Sequence, residues 1–229
     1  AIVDAINRVG TLNVMQVVEQ FNVPFLIYAS SSSVYGEGAP RPCKENLELG
    51  KALNPYAQSK RHNEFDAMAF TKRTGITTVG LRFFTVGGPM VGGGIGRPDM
   101  ALASFISRLM EGESINLFGD GSYTRDFTDV EDVVDGIILT LKGCMDKRIK
   151  GSEVFNIAEG ETTSVGRMIV AIASNLSILN CSSPETLTDR QVNEALRCLE
   201  SKGLLCFHAN NPADVTSTYA DTTKARTIL

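Results

Sequence analysis

Residues 26–60, LIYASSSSVYGEGAPRPCKENLELGKALNPYAQSK, are the stretch that best predicts the fold. The apolar run LIYAS is typical of a buried parallel strand, and four consecutive serines follow at its end. A loop rich in proline and glycine comes next. Asn54 and Pro55 then form a good helix start, with Asn at the N-cap and Pro at the first helical position.

The segments on either side continue this alternation. Apolar positions from Asp4 to Gln20 recur near helical spacing, which predicts a helix. The helix from Pro55 is expected to end at Gly75, before the apolar strand ITTVGLRFF. A strand, a helix and a second strand within about 60 residues are typical of the βαβ unit of a parallel sheet. We therefore predict an α/β fold with a doubly wound parallel sheet.

The second half of the chain supplies further elements. Asp99 is expected to cap the helix ALASFISRLMEG, and the pair Asp120-Gly121 predicts a hairpin over INLFGDGSYTRDF. VEDVVDGIILTLKG and SVGRMIVAIASNL have helical patterns, and EVFNIAE has that of a strand. Thr188 and Gln191 are spaced as a capping box, which predicts one more amphipathic helix.

Composition excludes several classes of protein. The 229 residues are 43% hydrophobic and 21% charged, with no apolar run near 18 residues, so we expect a soluble protein without a membrane span. A net charge of −4 argues against nucleic-acid binding. The five cysteines lack CxxC spacing and no signal peptide is visible, which favours reduced thiols and a cytoplasmic location. A metal site is poorly supported, because only His62 and His208 could join the cysteines.

Tyr56 and Lys60 are one helical turn apart and therefore lie on the same face of their helix. A nearby ammonium stabilises a phenolate, so Lys60 would make Tyr56 a usable general base. A serine hydroxyl at the carboxyl end of a neighbouring strand could hydrogen-bond the reacting oxygen. Tyr-x-x-x-Lys also arises by chance in many helices, and serines at strand ends are commonly capping residues. In a βαβ context the combination favours alcohol oxidation by a dinucleotide.

Several motifs carry a family resemblance over nearly the whole chain, from NRVGT to TYADTTKA. ASSSSVYGE, NPYAQSKRHNE, GLRFFTVGGP, GRPDMAL and GDGSYTRDFTDVEDVVDGI resemble the extended short-chain dehydrogenases of the NAD-dependent epimerase/dehydratase family. Within it the chain is most similar to the UDP-glucuronate 4-epimerases. The resemblance implies a Rossmann-like sheet, NAD as cofactor and a UDP-sugar as substrate. Relatives usually pair through the helix that corresponds to the one carrying Tyr56, so a homodimer is an expectation from the same resemblance.

The resemblance also assigns roles to individual residues. It implies that Tyr56 is the base, that Lys60 holds the nicotinamide ribose, that Ser31 is the catalytic hydroxyl and that Asn7 lies near the cofactor. The implied substrate-binding residues are Ser32, Ser33, Thr85, Arg97, Phe118, Arg125 and Asp214. Of these, Phe118 would stack on uracil and Arg125 would bind the pyrophosphate. The alternatives are that Phe118 is ordinary core, that Arg125 pairs with Asp126 or Asp129, and that Arg97 is a solvated loop charge.

The serine run discriminates among reactions. Dehydratases of the family carry Thr-Asp-Glu where this chain has Ser31-Ser32-Ser33, because eliminating water needs an acid and a base. The related decarboxylases carry a Glu near the same place. The reaction that remains is oxidation of the sugar followed by reduction of the keto sugar from its opposite face, which predicts a 4-epimerase. A dehydratase or decarboxylase and a catalytically inactive remnant that binds only the UDP-sugar are the alternatives.

The family's GxxGxxG turn is expected N-terminal to Asn7 and does not occur there, so we expect a fragment or a degenerate copy. The glycines at 92–94 and 96 are a weak substitute, because they do not link a strand to a helix. We assign residues 1–88 and 127–158 to a partial dinucleotide-binding domain. Residues 89–126 and 159–229 form the predicted substrate domain, with an insertion at about 177–208.

Overall fold

The computed structural model describes residues 2–88, 100–181 and 183–229. Two compact units are present, one made of Ala1–Val86, Asp126–Glu161 and Thr218–Leu229 and the other of Gly87–Arg125 and Thr162–Ser217. The division made from the sequence differs mainly at the C-terminal end, where residues from Thr218 onward lie in the first unit. The cofactor and substrate roles of the two units remain predictions.

The elements follow one another in helix and strand alternation. From the N-terminus they are α1 (Ile2–Asp4), a π-helical turn (Ala5–Val9), α2 (Gly10–Gln20), β1 (Phe25–Ser31), a 3₁₀ turn (Ser32–Val34), α3 (Pro55–Thr74), β2 (Thr77–Phe83), β3 (Thr85–Gly87), α4 (Ala101–Met110), β4 (Ile115–Phe118), β5 (Thr124–Arg125) and β6 (Phe127–Asp129). They continue with α5 (Val130–Met145), β7 (Ser152–Ile157), β8 (Thr163–Ser164), α6 (Val165–Asn175), a 3₁₀ turn (Pro184–Thr186), α7 (Asp189–Ser201), β9 (Leu205–His208) and α8 (Thr223–Ile228). None of the helices in the described ranges is long and apolar enough to cross a bilayer.

The first unit is organised around a parallel sheet in the order β1-β2-β7. Side chains of β1 alternate between its faces: Leu26 and Tyr28 pack with α2 and α3, whereas Phe25 and Ile27 join the cluster that contains α5. Helices therefore cover both faces of the sheet. The predicted parallel α/β fold is confirmed.

Helix α3 has the ends that the sequence predicts. The Asn54 side-chain oxygen accepts a hydrogen bond from the Ala57 amide at 2.8 Å, and Pro55 occupies the first helical position. Gly75 ends the helix in the left-handed conformation, with φ of 75°. These signals fix where Tyr56 and Lys60 fall in the first turns of the helix.

The prediction of one helix from Asp4 to Gln20 is wrong in its first part. A π-helical turn at Ala5–Val9 separates α1 from α2. The Thr11 hydroxyl donates to the Asn7 carbonyl oxygen at 2.6 Å, so a side chain takes part in the hydrogen bonding where the α-helical ladder is interrupted.

The predicted hairpin over INLFGDGSYTRDF is also wrong. Its first strand, β4, pairs in parallel with β9, and its second, β5, pairs antiparallel with β8. Gly119 and Gly121 do have positive φ, as the turn signal implied. The Gly121 carbonyl oxygen, however, accepts from the Gly166 amide of α6 at 2.9 Å, and the Gly119 amide donates to the His208 carbonyl oxygen of β9 at 2.9 Å, so the turn does not join β4 to β5 as a hairpin.

The segment at about 177–208 forms α7 and β9 in the second unit. The Thr188 and Gln191 capping box is confirmed at the start of α7. Val192, Leu196 and Leu199 form its buried face. The packing role expected for this helix agrees with that burial. Asp99, expected to cap α4, lies outside the described residues, and all five cysteines are free thiols.

Candidate active site

Tyr56 and Lys60 lie in the first two turns of α3. The Tyr56 side chain is accessible, with 43% of its surface exposed, and the Lys60 Nζ lies 5.7 Å from the centre of its ring. The Lys60 ammonium donates to the Ala29 carbonyl oxygen of β1 at 2.9 Å. Burial lowers the pKa of Lys60 from its ordinary value. The pair thus has the proximity that a phenol and a supporting cation require.

The serine turn, Ser31–Ser33, leaves the carboxyl end of β1 beside α3. The Ser31 hydroxyl oxygen accepts from the Ser33 amide at 3.2 Å and caps the 3₁₀ turn. The Ser33 hydroxyl is buried and has no hydrogen-bond partner among the described residues. Buried hydroxyls are normally paired, so this one is a candidate for contact with a ligand.

Asn7 is connected to Tyr56 through two hydrogen bonds. Its Nδ2 donates to the Ser59 Oγ at 2.9 Å, and the Ser59 hydroxyl donates to the Tyr56 carbonyl oxygen at 2.8 Å. The π-helical turn therefore places the amide of Asn7 against the first turn of α3. Residues in such turns often belong to functional sites.

A pocket of about 430 Å³ lies between these elements. Asn7, Gly10 and Thr11 line one side, and Ala29 and Lys60 line another. Its volume falls within the usual range for small-molecule sites. A larger pocket of about 750 Å³ includes Phe65 and Met68 in its lining and none of the predicted site residues, so we regard the smaller one as the candidate site.

Two charged residues that the sequence interpretation did not assign lie next to this site. The Glu64 carboxylate accepts from the Ser30 hydroxyl at 2.5 Å, and from Arg82 Nε at 2.9 Å and Nη2 at 2.8 Å. A signal for them was present, because an arginine inside the apolar strand TTVGLRFF must be paired when buried.

The remaining predicted substrate residues are spread over both units. Thr85, in the first unit, is half-buried, and its amide donates to the Asp126 carbonyl oxygen at 3.0 Å. In the second unit Phe118 is 51% exposed and its ring lies against His208, with 5.2 Å between ring centroids. Phe118 is therefore not ordinary core.

Four other predicted residues, Arg125, Asp214, Arg97 and Ser32, give less information about the site. The Arg125 Nη1 donates to the Thr124 carbonyl oxygen at 2.8 Å. Asp214 is exposed, and its amide donates to the Asn211 carbonyl oxygen at 3.1 Å. Arg97 lies outside the described residues. Ser32 is half-buried in the serine turn. The substrate roles of all these residues remain predictions.

Comparison with known proteins identifies the family to which the chain belongs. Residues 2–158 match the model of the NAD dependent epimerase/dehydratase family. A UDP-glucuronate 4-epimerase of Thermodesulfobacterium geofontis is 32% identical over 223 residues, which is 97% of this chain and 58% of that protein. The chain spans between 39% and 60% of the length of eight curated relatives that it matches.

Solved structures show the same likeness. A UDP-glucuronic acid 4-epimerase from Bacillus cereus, in complex with UDP-glucuronic acid and NAD, is 30% identical, with a TM-score of 0.77, 97% of this chain covered and 60% of that one. MoeE5 in complex with UDP-glucuronic acid and NAD is 32% identical, with a TM-score of 0.78, 97% of this chain covered and 64% of the other. The fold is that of these Rossmann-type enzymes.

Proposed function

Because the chain belongs to the NAD dependent epimerase/dehydratase family, we propose that this protein is a nucleotide-sugar 4-epimerase that interconverts UDP-glucuronate and UDP-galacturonate. The observation that carries the proposal is the pairing of Tyr56 with Lys60, which donates to the Ala29 carbonyl oxygen of β1, two residues before the serine turn. The choice of UDP-glucuronate rests on similarity to the Thermodesulfobacterium relative and the Bacillus cereus structure.

The residues of the smaller pocket fit the nicotinamide ribose part of NAD. The ammonium of Lys60 supplies hydrogen-bond donors for ribose hydroxyls, and Asn7 and Thr11 add polar groups to the wall. When bound, NAD would accept hydride from the sugar and return it.

Tyr56 would take the proton of the C4 hydroxyl and give it back after the sugar has turned. The Lys60 ammonium lies 5.7 Å from the centre of the Tyr56 ring, on the same face of α3. Ser31 would hydrogen-bond the reacting oxygen and hold it beside Tyr56. The serine turn has no carboxylate to assist loss of water, which supports epimerisation over dehydration.

The substrate contacts follow the family pattern. Thr85, Ser32 and Ser33 would approach the sugar, Phe118 would stack on uracil and Arg125 would bind the pyrophosphate. Arg97 suits the sugar carboxylate by its bidentate geometry. Asp214 would belong to the same substrate-binding region.

A homodimer through α3 is part of the proposal. Phe65 and Met68 are 57% and 55% exposed on this helix, whereas Phe70 is buried in the core. The two exposed side chains are the candidate contacts. Sedimentation of the wild type and of a Phe65→Lys variant would show whether the dimer exists and uses this face.

Substitution of Tyr56 by phenylalanine tests the mechanism. We expect Tyr56→Phe in the NAD-loaded protein to abolish turnover of UDP-glucuronate and to leave UDP binding by calorimetry unchanged. Tyr123→Phe, at a tyrosine outside the proposed site, is the matched control and should retain activity. Normal turnover in Tyr56→Phe would refute the assignment, and UDP binding without turnover in the wild type would favour a non-catalytic binding protein.

A further inference from the structure

Glu64 connects α3 to two strands of the sheet at once. Its carboxylate accepts hydrogen bonds from the Ser30 hydroxyl of β1 and from two nitrogens of Arg82 in β2. The Glu64 and Arg82 side chains are only 12% and 5% exposed. Ser30 and Arg82 are directly opposite each other in the parallel register of the two strands. One carboxylate therefore joins a helix to a cross-strand pair.

This connection lies next to the catalytic candidates. Ser30 immediately precedes Ser31, and Glu64 follows Lys60 by one helical turn. Lys60 itself donates to the carbonyl oxygen of Ala29. Helix α3 is thus attached to two consecutive residues of β1, one through Lys60 and one through Glu64, at the point where the serine turn begins.

The same arginine reaches the far end of the serine turn. The Arg82 guanidinium carbon lies 4.7 Å from the centre of the Tyr35 ring, and Tyr35 follows the 3₁₀ turn directly. One ion pair therefore contacts α3, the strand before the serine turn and the residue after it.

A buried ion pair is in general weak evidence for added stability. Buried ion pairs can often be replaced by apolar side chains of similar volume without loss of stability, because desolvation offsets the attraction. What a bidentate arginine and carboxylate pair provides is a fixed direction and distance. Here that geometry determines how far along β1 the helix α3 sits.

We propose that Glu64 and Arg82 are positioning residues of the active site. They hold α3 at the position along β1 that brings Tyr56 next to Ser31. Their geometry is independent of the reaction, whereas the consequence for turnover rests on the proposed function. A displacement of about 1 Å at reacting atoms can cost on the order of 100-fold in rate.

The test separates positioning from support of the fold. Glu64→Gln alone leaves a buried arginine unpaired and can unfold the protein. The informative variant is therefore Glu64→Gln with Arg82→Met, which removes both charges at once and leaves no unpaired ion in the interior. Its matched control is Glu153→Gln with Lys224→Met, because this pair, 2.7 Å apart, joins α8 to β7 in the same unit.

Two readouts are measured on both double variants in the NAD-loaded protein. We expect amide hydrogens of residues 58–60 to exchange about fivefold faster in the Glu64/Arg82 variant and at the wild-type rate in the control. We also expect kcat for UDP-glucuronate to fall about tenfold or more, with KM within about twofold. Melting temperature is recorded to show that both variants are folded.

The outcomes are distinct. A folded Glu64/Arg82 variant with wild-type kcat overturns the inference, whatever its exchange rates. Unchanged exchange at residues 58–60 overturns it as well, since the helix was then not held by this pair. If the wild type itself has no turnover, the proposed function fails, and the exchange rates still decide whether Glu64 and Arg82 position α3.

Discussion

Replacing Tyr35 by phenylalanine should destabilise the protein near neutral pH, and most or all of this difference from wild type should disappear in strong alkali. Tyr35 follows the serine turn and is 3% exposed. Its hydroxyl donates to the Asn156 Oδ1 of β7 at 2.6 Å. Removing the hydroxyl leaves a buried acceptor short of one donor, at a cost of about 1–3 kcal/mol.

The alkaline effect follows from the ionisation of the phenol. Burial raises the pKa of Tyr35 from 10.0 to about 12, with Glu45 adding to the rise and Arg82 opposing it. Between these two values the unfolded chain has lost the proton and the native protein retains it. Wild-type stability therefore falls as pH rises from 10 to 12, by about 3 kcal/mol. Tyr35→Phe has no such proton to retain.

Urea unfolding of both proteins at pH 8 and at steps from pH 10 to 12 measures this difference. Other groups that titrate in this range are common to both proteins and cancel in the comparison. We expect the variant to be less stable than wild type at pH 8 and most or all of this difference to have disappeared at pH 12. A stability difference that stays constant over the whole range would refute the buried, hydrogen-bonded state of Tyr35.

Three further predictions concern the core, the site and the second unit. Gly80→Ala should lower the free energy of unfolding, measured in urea, by about 1–3 kcal/mol, because the new Cβ would lie 2.7 Å from the Tyr28 hydroxyl. Gly10→Ala is the control: no atom lies within 4 Å of the new Cβ, so the free energy of unfolding should not fall. Lys60→Met should lower kcat by about 100-fold or more. Because burial lowers the pKa of Lys60, wild-type activity should already decline in alkali below pH 10.5. A decline that begins only above pH 10.5 would contradict this lowered pKa. Thr188→Ala should destabilise the second unit by about 1 kcal/mol through loss of the capping box, seen as a lower unfolding midpoint with kcat unchanged.

Local signals predicted the first unit well. The N-cap, proline and terminal glycine of α3 act within a few residues, so the sequence shows them directly. The same is true of the capping box of α7. Tyr56 and Lys60 were placed on one face of α3 for this reason, and the 5.7 Å between the Lys60 Nζ and the Tyr56 ring agrees with that placement.

Non-local pairing was what the sequence could not show. The turn at Gly121 has the chemistry of a hairpin, but β4 pairs with β9, 90 residues further along the chain. The π-helical turn at Asn7 likewise depends on contacts with α3, such as the hydrogen bond to Ser59. Neither follows from local propensity.

The polar groups behind the site were missed for a related reason. Glu64, Arg82 and Asn156 are distant in sequence and are brought together only by the packing of α3 against the sheet. Arg82 carried a usable signal, because a charged residue within a buried strand requires a partner. That the partner of Arg82 is Glu64 became clear only from the structure, in which α3 packs against the paired strands β1 and β2.

The central claim, that this protein is a UDP-glucuronate 4-epimerase, is tested most directly by identifying the product. The NAD-loaded protein is incubated with UDP-glucuronate, and the sugar nucleotides are separated and identified by proton NMR. We predict that UDP-galacturonate is the one new sugar nucleotide, that the same final mixture of the two sugars is reached from either one, and that no carbon dioxide is released. A UDP-pentose, a dehydrated keto sugar, or unchanged UDP-glucuronate in the presence of bound NAD would contradict the claim.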